Sequence, residues 1–310
     1  MNHLDTALAD GQRRFGTRLA PSFRQRYRTE YWPYDERLPR VRRIAGALSQ
    51  NNIGPGSRVL LYGNNSLCWV AAFFAVLARR GVVIPLNPKS TASQLERIMA
   101  SAEPDLLLCT AHSVWQGPSI DSLPIETAAE SGPAVEDLPG MNAEDSDLAE
   151  IAYTSGTTGE PKGIMLTHGN LLSGLHSLPS AVPLKETDTV LSIVPLFHLY
   201  GQMAGMLYPL SRGCMITYLP SLSSRIILST LVHAPAHFMV AVPEFLKTFM
   251  DRLEERLSGW PPLVRRLLKS RIRRRISKTL HTLVSGGAPL EPELELKWRA
   301  LGFEVLQGYG

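Results

Sequence analysis

The 310-residue sequence has only three cysteines, Cys68, Cys109 and Cys214. They stand far apart in apolar runs. That placement excludes a disulfide framework or a clustered metal site and reads as buried thiols in a reducing compartment. Long apolar runs are missing too, since nothing approaches the ~18 residues of a membrane-spanning helix. The opening "MNHLDTALADGQRRFG" has no apolar core and does not read as a secretory signal, so a cytoplasmic location is expected. Internal repeats and low-complexity tracts are absent. Acidic residues are lacking from one long stretch: between Arg256 and Leu290 there are nine Lys or Arg and no Asp or Glu, against a whole-chain net charge of only +4. Inside it, "RRLLKSRIRRRISK" (265–278) places Leu267, Leu268, Ile272 and Ile276 at helical spacing. A solvated helix face and peripheral contact with an anionic membrane both fit this stretch. Nucleic acid does not, because no aromatic residue interleaves the charges.

Hydrophobic residues make up 44% of the chain, enough for a sizeable core, and the length suits about two ordinary domains or one large one. From about residue 58 short apolar runs alternate with longer helical patterns. "RVLLY", "VVIPLN", "DLLLC", "TVLSIVP", "MITYL", "HFMVAV", "HTLVS" and "FEVLQ" read as strands. "CWVAAFFAVLARRG", "SQLERIMASA", "GQMAGMLYPL", "RIILSTLVH", "EFLKTFMDRLEERL" and "EPELELKWRALG" read as helices, as does the segment from about 168. The Pro- and acid-rich stretch at 116–147 reads as a loop. Strands alternating with helices predict an α/β fold of largely parallel sheets covered by helices, with ligands at the carboxyl ends of the strands.

One loop carries more chemistry than a turn requires. "IAYTSGTTGEPKGIMLT" runs from an apolar strand (Ile151 to Tyr153) through Thr154, Ser155, Gly156, Thr157, Thr158 and Gly159 to Lys162. Glycines let the backbone approach a ligand closely, and clustered backbone N–H groups form an anion-binding concavity. Four hydroxyls and one lysine add donors and positive charge, so the loop reads as a phosphate cradle. It is not Gly-x-x-x-x-Gly-Lys-Ser/Thr opening a helix. Here Pro161 precedes Lys162, Gly163 follows it, and "GIMLT" reads as another strand.

Three further segments follow predicted strands. In "VSGGAPL" (284–290), Gly286 and Gly287 leave backbone bare for a flat ligand, or else form a tight turn toward a helix with Pro289 near its start. In "LQGYG" (306–310), Tyr309 offers a ring face to a base, or packs at a strand end. In "PLFHLYGQ" (195–202), His198 stands just past a strand end, as a functional or a structural histidine.

"TSGTTGEPKG", followed by "LTHGN", closely resembles the phosphate loop of the AMP-forming adenylating enzymes. These are the acyl-CoA synthetases, the adenylation domains of nonribosomal peptide synthesis, and the luciferases. The resemblance runs from about Tyr27 to Gly310, leaving 1–26 as an N-terminal arm, and "YWPYDERLPRVRRIAGAL" looks like the family's opening helix. It implies two parallel-rich sheets flanked by helices, forming an N-terminal AMP-binding domain that is incomplete, with the C-terminal lid domain absent. It implies that ATP is bound by Thr154, Ser155, Gly156, Thr157, Thr158, Gly159 and Lys162. Adenine would lie against Gly286, Gly287, Ala288 and Pro289 and beside Gln307, Gly308, Tyr309 and Gly310, with Tyr309 stacking. His198, Leu199, Tyr200 and Gly201 would line the acyl site, and Lys162 and His198 would be the catalytic pair. Mg2+ would bridge the phosphates, and CoA or an acyl carrier protein would accept the acyl group; no metal ligand is assigned among these residues.

Amino-acid-activating relatives place an aspartate after the aromatic residue of this last segment, to hold an α-ammonium. Here His198 follows Phe197, so an amine would be buried without its partner. The implied substrate is a carboxylic acid without an α-amine, closest in look to a medium- or long-chain fatty acid. The family's Thr-Glu pair, its ribose-binding Thr-Gly-Asp segment and the lysine of its mobile domain do not occur in these residues. The alternative is therefore a nucleotide-binding remnant, or one half of a split enzyme.

Overall fold

The computed structural model describes residues 19–25, 28–136, 138, 143–155, 160–219, 223–234, 236–261, 263–264, 267, 270–271 and 279–308. The described residues open with strands β1 (Leu19–Gln25) and β2 (Arg28–Pro33), then helix α1 (Tyr34–Gln50). β3 (Arg58–Tyr62), α2 (Leu67–Ala78), β4 (Val82–Leu86), α3 (Ala92–Ala102) and β5 (Leu106–Cys109) alternate as the apolar periodicity requires. β6 (Ser122–Pro124), α4 (Ile125–Ser131), β7 (Leu148–Ser155), β8 (Pro161–Thr167) and α5 (His168–Ala181) follow. Next come β9 (Thr189–Ser192), α6 (Leu199–Gln202), a π-helical turn (Met203–Leu207), α7 (Tyr208–Ser211) and β10 (Met215–Tyr218). The last elements are α8 (Ser224–His233), β11 (Phe238–Ala241), α9 (Pro243–Leu257), β12 (Thr282–Gly286), α10 (Pro292–Ala300) and β13 (Glu304–Gly308).

Two sheets result. The larger runs β13-β12-β11-β9-β10-β1-β2 and the smaller β6-β5-β3-β4-β7-β8. Every neighbouring pair is parallel except β1–β2 and β7–β8, which close one edge of each sheet as antiparallel hairpins. The central strands β4, β9, β11 and β12 are buried at every position because parallel strands are covered on both faces. One core spans the inner faces of both sheets and holds α1, α2 and α5. α2 is buried all round, apart from a half-buried Cys68, and starts on Ser66, whose side chain accepts from the Trp69 N–H. Capping boxes, Thr91 with Gln94 and Thr167 with Asn170, fix where α3 and α5 begin. The three cysteines are free thiols, and burial pushes those of Cys68 and Cys214 up to about 12.

The architecture differs from the sequence reading in three places. The stretch at 116–147 is not all loop: it contains β6 and α4. Only Ile125, Ala128 and Ala129 of α4 are buried, a stripe too short for periodicity to reveal. The opening helix begins at Tyr34, because Tyr31 to Pro33 belong to β2. Leu19–Gln25, inside the segment read as an arm, pairs with β10 in the larger sheet. Most of the basic stretch at 265–278 lies outside the described residues.

Candidate active site

The phosphate-cradle sequence is the turn of the β7–β8 hairpin. Ser155 pairs with Pro161, Thr154 with Lys162, and Tyr153 with Gly163. Directly paired residues point to the same face, so the Thr154 hydroxyl and the Lys162 ammonium stand side by side, both exposed, at the carboxyl end of β7. On the other face, Gly163 makes room for Tyr153: a Cβ there would stand 3.1 Å from the phenol Cζ. The Tyr153 hydroxyl and the Ser101 hydroxyl share a 3.1 Å hydrogen bond that ties the hairpin to α3. Gly156, Thr157, Thr158 and Gly159, the side chain of Ser155, and Tyr309 and Gly310 lie outside the described residues.

Thr154 and Pro161 open onto a cleft of about 160 Å³ whose opposite wall is Phe197 and His198. Leu86, Asn87 and Gln94 also line it. His198 caps α6, and its ring leans on Phe197 with centroids 4.2 Å apart. The imidazole is solvent-accessible at the cleft mouth, yet the surrounding protein pushes its pKa below the ordinary value through desolvation. It is a neutral hydrogen-bonding group at pH 7, not a cation. The geometry thus joins the hairpin of the smaller sheet to the 195–202 segment of the larger one.

Tyr200 joins that segment to the glycine strands. Its hydroxyl donates to the Val284 carbonyl at 2.8 Å and lies 3.3 Å from that of Ala241. Its ring covers Gly286 so closely that a Cβ there would stand 2.5 Å from Cε2. Burial raises the phenol's pKa well above the usual range. Tyr200, expected at the acyl site, therefore spends its polar atom on the backbone of β11 and β12. Gly286 is paired with Gly308, so the two glycine segments end side by side. Gly287 turns outward with φ +80°, and Ala288 and Pro289 are exposed beyond it. Gln307 donates to Glu295 on α10 at 2.6 Å. Leu199 is 38% exposed beside the cleft. Gly201 allows the first turn of α6 to sit against Pro195, whose carbonyl oxygen would be 2.3 Å from a Cβ.

Two residues that place this segment escaped the sequence reading. Asn65, just after β3, donates from Nδ2 to the Val194 carbonyl at 2.9 Å and accepts from the Leu196 N–H at 2.7 Å. It pins the backbone immediately before Phe197 and His198 to the smaller sheet. Its polar position after a buried strand, in "YGNNS", was the available signal. Glu150 on β7 is fully buried and accepts from Gln202 of α6 at 3.1 Å. Alternation along "EIAYT" puts it on the face of Ala152 and Thr154, and this was legible; that the face is covered was not.

The profile of the family described as AMP-binding enzyme matches residues 9–310. Among curated proteins, the chain is 29% identical over 298 residues to a long-chain-fatty-acid–CoA ligase of Thermus thermophilus, covering 89% of this chain and 51% of that protein. It is 29% identical over 314 residues to a mitochondrial malonate–CoA ligase of Mus musculus, covering 96% and 52%. It is 26% identical over 279 residues to a feruloyl-CoA synthase of an Amycolatopsis species, covering 89% and 53%. The chain thus spans about half the length of the curated relatives it matches. Among solved structures, the N-terminal domain of FACL13 from Mycobacterium tuberculosis superposes with a TM-score of 0.80 at 22% identity, covering all of this chain and 76% of that one. A benzoate CoA ligase from Burkholderia xenovorans LB400 gives 0.81 at 20% identity, covering all of this chain and 61% of that one. These two likenesses show the fold: two mostly parallel sheets flanked by helices.

Proposed function

Since the chain belongs to the AMP-binding enzyme family, we propose that it carries the nucleotide- and acid-binding part of an ATP-dependent acid–thiol ligase. The observation that carries this reading is the shared cleft. Thr154 and Pro161, at the root of the hairpin loop, line it together with Phe197 and His198; Lys162 is the strand partner of Thr154, and Tyr200, two residues after His198, lies against Gly286.

In the proposed chemistry a carboxylate oxygen of the acid attacks the α-phosphorus of ATP. The bond to the β-phosphate breaks, and pyrophosphate leaves from an acyl-AMP. A thiol, of CoA or of an acyl carrier protein, then attacks the acyl carbon, and AMP leaves. Lys162 and the loop hydroxyls hold the outer phosphates and offset charge as it grows on pyrophosphate. Neutral His198 offers the acid a hydrogen bond without a competing charge. Magnesium, when bound, neutralises phosphate charge. Among the described residues there is no cluster of three or more His, Cys, Asp or Glu that could hold a metal ion.

The acid is proposed to be a medium- or long-chain alkyl carboxylate. His198 offers no anion for an α-ammonium, and the neighbouring Leu199 presents an exposed apolar side chain. The named relatives act on fatty, dicarboxylic and aromatic acids, so the class rests on these side chains. Calorimetry with ATP and AMP tests the core of the reading: millimolar-range binding of both is expected, and no heat from folded protein at those concentrations would overturn it. A second reading is a nucleotide-binding module without turnover of its own. Acyl-AMP formation by the isolated chain would exclude it.

Peripheral membrane contact is proposed for the segment around the basic stretch. Trp260 and Leu263 just before it are 51% and 78% exposed, and Leu267 within it is 68% exposed. Among the described residues, no helix is long and apolar enough to cross a membrane. Co-sedimentation with anionic but not zwitterionic vesicles is the expected result.

A further inference from the structure

Glu150 has no exposed surface. It lies beside Val83 of β4 and opposite Leu166 of β8. Gln202, equally buried, donates its amide Nε2–H to Glu150 Oε1 at 3.1 Å. Among the described residues neither Glu150 Oε2 nor Gln202 Oε1 has a hydrogen-bond partner. With Glu150 ionised, both orphan atoms are acceptors and neither can satisfy the other. A single proton on Oε2 changes the count: the acid O–H donates to Gln202 Oε1, and the two side chains close a reciprocal acid–amide pair.

The surroundings favour that proton. The ionisable groups on the packed elements are Tyr153 and Lys162 of the hairpin, the Arg80–Asp147 ion pair before β7, His168 and His176 of α5, and His198 and Tyr200 at α6. None of them moves the titration of Glu150. Burial, opposed only by the Gln202 hydrogen bond, pushes its carboxyl up to about 7. Gln202 is also joined to the site by its backbone, since its N–H donates to the His198 carbonyl at 3.0 Å.

We propose that Glu150 is a positioning residue. As a neutral acid it clasps Gln202 and so holds the first turn of α6, with His198 and Tyr200, against the strand that leads into the phosphate loop. Deprotonation opens the clasp and loosens that turn, making the geometry of the cleft proton-dependent. The link between this clasp and ATP affinity rests on the function proposed above; the clasp itself does not.

The test uses the intact 310-residue chain. Infrared spectroscopy with carbon-13-labelled glutamate should show a protonated-carboxyl band below pH 7 that fades by pH 9, and it should be missing from Glu150→Gln. In nuclear magnetic resonance, the Gln202 side-chain amide and the Leu199 backbone amide should shift together in one transition near neutral pH. That transition should vanish in Glu150→Gln, whose amide reproduces the clasp without a titratable proton. ATP affinity should stay within about twofold in Glu150→Gln and fall at least severalfold in Glu150→Leu, which cannot clasp. An unchanged amide transition in Glu150→Gln, or equal affinity in the Gln and Leu variants, would overturn the proposal. If the variants do not fold, absence of the acid band from the unmodified chain at pH 6 overturns it. Should no form bind ATP while the transition behaves as expected, the nucleotide-binding reading fails and the clasp stands.

Discussion

Replacing Gly286 with alanine tests whether the ring of Tyr200 is locked between the acid side and the nucleotide side of the cleft. The added methyl would stand 2.5 Å from Cε2 and 2.8 Å from Cζ of Tyr200, and 3.0 Å from the Gly308 carbonyl oxygen. Carbon atoms separate comfortably at ~3.5–4.0 Å, so about 1 Å of movement is needed. The carbonyl belongs to a paired strand and cannot yield. The ring must swing, and its hydroxyl then leaves the 2.8 Å bond to Val284. Overpacking costs about 1–3 kcal/mol and the lost hydrogen bond about 0.5–1.5 kcal/mol, so a loss of ~2–3 kcal/mol is expected. In a domain of this size that lowers Tm by roughly 4–10 °C. Gly287→Ala is the contrast. There a Cβ has 3.7 Å to the nearest ring atom, and the cost of about 1–2 kcal/mol comes from the positive φ of +80° alone. Tyr200→Leu removes the ring, so Gly286→Ala on that background should cost at least ~1 kcal/mol less than on the parent. Differential scanning calorimetry gives the stabilities, and titration with ATP the binding. ATP affinity should fall about tenfold in Gly286→Ala. Strict additivity with Tyr200→Leu, or an unchanged Tm, would show that the ring is free and the locking argument wrong.

Lys162→Ala should weaken ATP more than AMP in calorimetry, because the ammonium is assigned to the outer phosphates; equal losses would contradict that role. The raised Glu150 carboxyl makes stability pH-dependent in one direction. The folded state holds the proton more tightly than the unfolded chain, whose carboxyl titrates near 4.5. The stabilisation is therefore complete below about pH 4.5 and lost as pH rises through about 7, on the order of 3 kcal/mol in all. Relative to Glu150→Gln, urea midpoints of the parent should fall over that window. Asn65→Ala leaves the Leu196 N–H and the Val194 carbonyl without their partner, and urea unfolding should report a loss of ~1–3 kcal/mol. Thermal shift over a panel of acids should favour alkyl carboxylates over amino acids, and a clear amino-acid preference would refute the substrate class.

The sequence by itself determined the alternation of strands and helices and the chemistry at their ends. Strands buried on both faces are dominated by apolar residues, so "RVLLY" and "VVIPL" declare themselves. A loop crowded with Thr, Ser and Gly around a lysine is costly to explain as a plain turn. Where the local pattern was thin, the reading failed. α4 buries only three side chains, and the strand at Leu19–Gln25 has no marker of its own in a polar, Arg-rich stretch.

Only the tertiary structure decided which elements meet. Nothing local says that β1 joins β10 across 195 residues, as the Ser22–Thr217 hydroxyl contact does. Nor does it say that the β7–β8 hairpin of one sheet opens onto His198 of the other. Alternation assigned Glu150 to a face of β7, but whether that face meets water or Gln202 depends on a helix that follows more than 40 residues later. Asn65 and Tyr200 are likewise ordinary polar residues until the carbonyls they bind come within reach from distant strands. Local sequence sets backbone preference and the spacing of apolar groups, which act over a few residues. Hydrogen-bond partners, burial and proton affinity are set by what the closed fold places within a few ångströms, whatever the distance along the chain.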